Sequence, residues 1–389
     1  MRQPATITRN ILLLSVVSLC TDMASEMLYP VMPGFLQSIG YPILLIGLME
    51  GLAEAIAGLS KSYFGYQSDL MQKRLPFIRL GYLLSAVSKP LMALSFIPGW
   101  IFCTRLIDRL GKGIRTAPRD AMLRNESNTS NRGAVFGFHR SMDTIGAVFG
   151  PLIALALLHF FPGRYALLFM VAALPGILAI ASTWLLKEKE IINPTEAKPT
   201  NWTKYWARSP LAYRKLLPPL LLFACINSSD LFLLLYSKQC GYTDTTVILM
   251  YIAYNLVFAT LAYPAGKLAD RLGLPIIFIT GLLIFALVYG GFSMFDTAIF
   301  LIPLFIFYGI YAALTDGVAK AMISNTVTQA EAGTALGTYA ALQSLAALFA
   351  SFSAAIIWQK WGASIAFGMS AIIALIAAIW LLLLLKKNK

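Results

Sequence analysis

Two carboxylates four residues apart, Asp22 and Glu26, interrupt an apolar run near the start of the chain. That spacing puts both on one face of a helix. Two neighbouring carboxyls away from water can take up and release a proton, so the pair could carry protons. Glu50 and Glu54 repeat the spacing in the next apolar run, and residues 100–122 carry Arg105, Asp108, Arg109 and Lys112. Steps of about 100° per residue place those four in one helical stripe. His139, Arg140 and Asp143 form a third cluster, and the second half of the chain offers Asn227, Asp230, Asp316, Lys320 and Tyr339. An ionisable group at the centre of a membrane helix costs roughly 2.5–3.5 kcal/mol on insertion scales and marks function by default. Asp22, Glu26, His139 and Asp143 are the candidates for proton coupling. The others are candidates for a substrate cavity, where bases can bind carboxylates or phosphates through charge-assisted hydrogen bonds.

Each cluster also has a plainer reading. Glu50 and Glu54 share their helix with Gly47, Gly51 and Ala55, a row suited to close packing, and could form an ion pair with the basic stripe. Arg105, Asp108 and Lys112 could satisfy one another, and Asp22 and Glu26 could serve packing. Arg115 and Arg119 prolong the stripe and are expected at the cytoplasmic surface, solvated or against lipid headgroups. Cys20, Cys103, Cys225 and Cys240 have no metal-ligand spacing, so no metal or cofactor is expected.

The elements holding these residues must be membrane helices. The 389 residues are 58% hydrophobic and 13% charged, with mean hydropathy +0.71, against about 25% charged in soluble domains. Twelve apolar runs fall at 10–36, 42–64, 77–97, 100–122, 132–158, 164–186, 213–236, 245–268, 274–293, 298–323, 333–358 and 363–385, each close to or above the roughly 20 residues a span requires. The first is read as a retained helix, because its Asp22 and Glu26 do not suit a signal peptide. With the N-terminus inside, 22 of the 31 Lys and Arg fall on the cytoplasmic side and 3 on the other, which puts both termini in the cytoplasm. The net charge of +13 thus reports loop asymmetry rather than nucleic-acid binding. Residues 187–212 read as a cytoplasmic linker between bundles at 1–186 and 213–389. The glycosylation patterns at Asn125, Asn128 and Asn201 fall on the cytoplasmic side and are expected to be unused.

The two halves are copies. Gly65 to Asp69 is echoed by Gly266 to Asp270, Leu106 to Lys112 by Leu314 to Lys320, and Arg132 to Gly137 by Ala332 to Gly337, at offsets of 201, 208 and 200. Duplicated six-helix bundles place substrate near the midplane between rocking halves. No Walker-type phosphate loop, H-E-x-x-H or G-x-S-x-G context occurs, which disfavours an ATP-driven pump or an intramembrane enzyme.

These motifs resemble those of the major facilitator superfamily of secondary transporters over nearly the whole chain. Gly65, Asp69, Lys73 and Arg74 fit its loop signature, with Gln72 replacing a glycine, and the second copy keeps Gly266, Asp270 and Gly273 without the basic pair. The resemblance implies an all-α fold of twelve transmembrane helices in two pseudo-symmetric bundles. It also implies a cytoplasmic gate at Gly65, Asp69, Lys73, Arg74, Gly266 and Asp270, stronger in the first copy. Gly146, Gly150 and Pro151 resemble a signature associated with antiporters, with a plain packing row as the alternative. Ser25 to Pro30 and Gly111 to Asp120 resemble a group of bacterial major facilitator permeases, a resemblance that gives the machine and not the cargo. The expectation is a monomeric, proton-coupled transporter of a small organic solute in the bacterial cytoplasmic membrane, with substrate, protons and the bilayer as partners. The leading reading is an exporter working as a proton antiporter; the alternative is uptake of an anionic solute or metal chelate such as a siderophore.

Overall fold

The computed structural model describes residues 7–29, 31–32, 35–36, 39–40, 43–188 and 204–387, with the side chains of 43–51, 244–245, 248, 298 and 387 set aside. Glu50, Pro30, the Asn201 pattern and most of the linker therefore lie outside what is described. Among the described residues there is no strand. The helices are α1 (Arg9–Glu26), α2 (Ile43–Leu70), α3 (Leu75–Leu94), α4 (Pro98–Asn125), α5 (Arg132–Phe160), α6 (Tyr165–Thr183), α7 (Tyr205–Arg208), α8 (Leu211–Ala224), α9 (Leu231–Gln239), α10 (Asp244–Leu272), α11 (Leu274–Met294), α12 (Ala298–Asn325), α13 (Ala332–Trp361) and α14 (Ala363–Lys387). α7 is a single turn and α8 and α9 share one crossing, which leaves twelve crossings. Large apolar side chains face outward at one-turn intervals, as at Leu174, Ile177 and Leu178 on α6 and Ile372, Ile376, Ile379 and Leu383 on α14. Water would not tolerate so much exposed apolar surface, whereas lipid does. Among the described residues eight helices are long and apolar enough to span on composition alone; α4 misses that standard through its charges, and α8 and α9 through their shortness.

Two expected spans are interrupted. The run 10–36 leaves α-helix after Glu26, and the Leu28 N–H turns back to the Ser25 carbonyl. The run 213–236 breaks between α8 and α9: the N–H groups of Ile226 and Asn227 both go to the Phe223 carbonyl and that of Ser229 goes to Ser351 Oγ. Asn227, Ser228, Ser229 and Asp230 are the side chains that compete with helical backbone bonds.

Residue contacts gather the chain into two compact units. Unit 1 is Met1–Asn128, Met142–Arg208 and Val327–Ala341; unit 2 is Thr129–Ser141, Ser209–Thr326 and Leu342–Lys389. The first turns of α5 belong to unit 2, and those of α13 to unit 1. Within unit 1, α3 packs on α4 and α6, α2 on α4, and α1 on α6. Within unit 2, α11 packs on α12 and α14, α10 on α12, and α8 on α14. The same four pairings thus recur at corresponding helices, a duplication of packing that matches the duplicated motifs. An apolar cluster with Phe35, Met92, Ile101 and Phe169 in its core consolidates unit 1.

Candidate functional site

Close helix contacts in unit 1 bring its charges together. A Cβ on Gly81 or Gly111 would sit 2.6 Å from the other residue's carbonyl oxygen, so only paired glycines let α3 lie this near α4. Two turns further along α3, Lys89 is fully buried; its Nζ is 2.5 Å from Asp108 Oδ1 on α4 and 3.2 Å from Ser25 Oγ on α1. Arg105 lies 3.6 Å from the other Asp108 oxygen. Arg115 donates to Ser85 Oγ at 2.7 Å and stacks 4.7 Å above the Tyr82 ring, while Arg109 faces Glu54 at 3.7 Å. Asp22, Ser25, Glu26 and Tyr29, with Arg105, Asp108, Arg109, Lys112 and Arg115 on α4, line one small polar cavity.

Six sequence-predicted residues, Asp22, Glu26, Arg105, Asp108, Arg109 and Lys112, thus meet at one place, and Glu54 joins through Arg109. Arg115 and Arg119 correct the surface expectation: they are only 4% and 6% exposed. α4 runs to Asn125, beyond the expected end of its span, and stays packed against α2 and α3. Lys89, Ser25 and Tyr29 are further polar members outside the predicted site set; the place of Lys89 inside the apolar run 77–97 was the signal for it.

A second close approach sets a carboxyl pair. A Cβ on Gly150 would fall 2.7 Å from the Met23 carbonyl oxygen and 2.9 Å from the Met27 nitrogen, and one on Gly146 would strike the Leu19 carbonyl. The antiporter-like glycines are therefore, physically, the row that presses α5 onto α1. One turn earlier on α5, Asp143 is a charged neighbour of Asp22 on α1. Ser18 donates to Asp143, Arg119 donates to Ser18 Oγ at 3.1 Å, and Arg119 is held by Asp120 at 2.9 Å. Lys112 and Glu26 are the charged neighbours of Asp22 on the cavity side. His139 lies one turn before Asp143 on α5 but falls in unit 2, where it is buried.

At the basic end of unit 1, Asp69 is buried at the end of α2, past residue 64 where its apolar run stops. Its carboxylate accepts from Gly333 N (3.1 Å), Thr334 N (2.6 Å), Thr334 Oγ1 (2.9 Å) and Arg74 (2.9 Å), which caps the start of α13. In unit 2, Asp270 caps the start of α5 through Gly133 N and Ala134 N, both at 2.7 Å. Gly65 and Gly266 lie where backbones meet Gly333 and Gly133, and Lys73 is exposed. Burial pushes the Asp69 carboxyl up to about 6 against the pull of Arg74 and the α13 amides. A carboxyl that keeps its proton longer when folded favours the folded state fully below its ordinary value of 3.8, and that contribution is lost as pH rises through about 6. Melting temperatures of wild type minus Asp69→Asn, followed from pH 4 to 7, are expected to fall through that window; a flat difference would contradict the assignment.

In unit 2, Arg140 pairs with Asp316 and lies 5.3 Å over the Phe258 ring. Asp230 at the start of α9 accepts from Tyr254, whose ring sits 5.2 Å from that of Tyr308, and Tyr311 continues the cluster 5.3 Å from Tyr308. These tyrosines are additions to the predicted set. Asn227 lies in the break before α9 and Lys320 is half-buried on α12, whereas Tyr339 is buried in unit 1.

Charged cavity, packed glycine rows and repeated pairings describe a machine of two related helical units. The sequence profile of the Major Facilitator Superfamily matches residues 14–243 and 231–389. The chain belongs to this family. As a member of the major facilitator superfamily it is an integral membrane transporter rather than an enzyme, with small-molecule substrates. An uncharacterized MFS-type transporter of Methanocaldococcus jannaschii is 33% identical over 384 residues, 97% of this chain and 95% of that one. The multidrug resistance protein MdtH of Cronobacter sakazakii is 28% identical over 155 residues, 40% of this chain and 38% of that one. Among solved structures, the human organic anion transporter TETRAN superposes with TM-score 0.80 at 17% identity, over 97% of this chain and all of that one, a likeness of fold.

Proposed function

We propose that this major facilitator is a proton-coupled secondary transporter that exports a small organic solute by antiport. The observation that carries the coupling is the neighbouring carboxyls of Asp22 and Asp143, set side by side where the glycine row presses α5 onto α1 at the cavity of unit 1, a pair that can take up and release a proton. A proton there and a cationic or neutral solute compete for one polar space, which drives exchange in opposite directions. The partial match to a multidrug resistance protein supports export. We take residues 1–186 and 213–389 as the two bundles joined by 187–212, working as a monomer in the bacterial inner membrane with both termini in the cytoplasm. Glu26, Glu54, Arg105, Asp108, Arg109 and Lys112 are the substrate-facing set of the first bundle, and Asn227, Asp230, Arg140, Asp316, Lys320 and Tyr339 the further candidates. His139 is retained as a proton-coupling candidate, and Asp69 with Arg74 and Asp270 as the cytoplasmic gate.

One observation favours a second reading. Four cations but three carboxylates line the cavity, and a proton on Asp22 would raise the positive excess and draw an anion in with it. That is proton-linked anion uptake. Proteoliposomes containing a pH dye decide between them: with tetraphenylphosphonium as the probe, antiport moves protons against the probe, whereas with carboxyfluorescein, anion uptake moves both together. Either probe crossing without proton movement refutes coupling. If carboxyfluorescein is the transported probe, Arg109→Lys should weaken its binding at least tenfold, about 1.4 kcal/mol, because an ammonium cannot reproduce a bidentate guanidinium contact. If tetraphenylphosphonium is transported, that variant should bind it as wild type does, and unchanged carboxyfluorescein affinity in a carboxyfluorescein transporter would refute the anion site.

A further inference from the structure

At one end of unit 2, the starts of α8 and α11 and the ends of α12 and α14 leave a groove of about 260 Å³. Its walls are apolar, with Leu216, Leu274, Leu381 and Leu384 among them, and its rim carries the exposed Lys215. Lys386, also exposed, directly follows the α14 wall, and Arg214 precedes Lys215 on α8. An apolar slot beneath a cluster of bases, at the end of a bundle that is otherwise faced by lipid, has the complementarity of an amphiphile with a negative head.

The internal repeat adds an independent argument. Leu274-Pro275 at the start of α11 corresponds to Leu75-Pro76 at the start of α3, an offset of 199. In unit 1 that helix start is occupied by the chain's own anion: the Glu188 carboxylate, just beyond α6, accepts from Arg74 N at 2.5 Å and Leu75 N at 3.1 Å. In unit 2 the chain just beyond the corresponding apolar wall of α14 is basic, Lys386-Lys387. The residue before α11 is Gly273, at φ +108°, with no side chain to cap the helix. Among the described residues the Leu274 N–H has no acceptor. Where the first copy supplies a carboxylate, the second supplies bases and a groove.

We propose that this groove is a binding site for an anionic phospholipid, with the acyl chain between α8, α11 and α14 and the phosphate held by Lys215 at the start of α11. Anionic headgroups are drawn to basic pockets between membrane helices on the cytoplasmic side, and the leaflet follows from the orientation proposed above. The site is separate from the polar cavity of unit 1, so its test does not depend on the transport reading.

The experiment titrates the purified full-length chain in detergent with phosphatidylglycerol or phosphatidylcholine of identical acyl chains and counts bound lipid by native mass spectrometry. Phosphatidylglycerol is expected to bind at least tenfold more tightly than phosphatidylcholine. Lys215→Glu, which reverses the rim charge, and Leu384→Trp, which fills the slot, should each remove at least tenfold of that affinity without lowering the melting temperature. Lys238→Glu, in the exposed turn at the far end of α9, should leave it unchanged. Equal binding of the two lipids, or wild-type affinity in Lys215→Glu, overturns the proposal. So does displacement of the lipid by excess inorganic phosphate with no effect of Leu384→Trp, which would make the site one for a soluble anion.

Discussion

Asp22→Asn and Asp143→Asn should each abolish pH-gradient-driven transport while leaving exchange of substrate at equal pH close to the wild-type rate. The two carboxyls are neighbours across the contact of α1 and α5, with Ser18 and Arg119 behind Asp143. An amide in either place can still donate across the pair, so the contact between α1 and α5 survives and the melting temperature should hold. What the amide cannot do is release the proton. Exchange at equal pH returns the carrier loaded in both directions and needs no net proton movement, so it separates lost coupling from a lost binding site. Glu26→Gln changes a cavity-lining carboxyl outside the pair and should weaken coupling less than either substitution. Wild-type coupling in the double variant Asp22→Asn/Asp143→Asn would remove this pair from the mechanism and leave His139 or the second bundle to carry the proton.

The sequence made the crossings and the repeat visible because lipid imposes long apolar runs and duplication preserves spacing. The charges of α1 and α4 stood out for the same reason: an ionisable side chain is conspicuous among Leu and Ile. Other members were hidden. Ser18 and Ser25 matter through one hydroxyl each, and serines are common in membrane helices. Lys89 lies at membrane depth inside the apolar run 77–97, but only the approach of α3 to α4 shows it turned onto Asp108. Arg115 and Arg119 were placed at the surface because an apolar run marks where hydrophobicity stops, whereas the helix and its packing continue. The break after Ala224 did have a signal, since Asn227, Ser228, Ser229 and Asp230 are four consecutive polar residues within an otherwise apolar run. The pairing of Asp22 with Asp143 spans 121 positions of sequence, and glycine rows suggest close helices without naming the partner.

Lys89→Met should be one of the two most destabilising single changes in the polar core, Asp108→Asn being the other. Its ammonium is buried, and among the described residues the carboxylate within ion-pair distance is Asp108, itself 4% exposed. Removing one partner of a buried ion pair costs roughly 3–5 kcal/mol, because the remaining charge is stranded out of water. Asp108→Asn should cost at least as much, since it leaves both Lys89 and Arg105 without their carboxylate. Joining the two in Lys89→Met/Asp108→Asn removes a charge of each sign and should cost less than the sum of the single changes, with a coupling of about 0.5–3 kcal/mol. Melting of the purified protein in detergent measures all four corners of the cycle. Strict additivity would mean that water or lipid headgroups reach Lys89 and that the pair contributes little. A functional consequence accompanies the coupled outcome. Lys89 also holds Ser25, the residue before Glu26 in the cavity wall, so it ties α3, α4 and α1 together around the polar space. The rescued double variant should therefore recover stability while still binding substrate more weakly than wild type, because its fold no longer strands a charge but its cavity wall has lost the tie to α1.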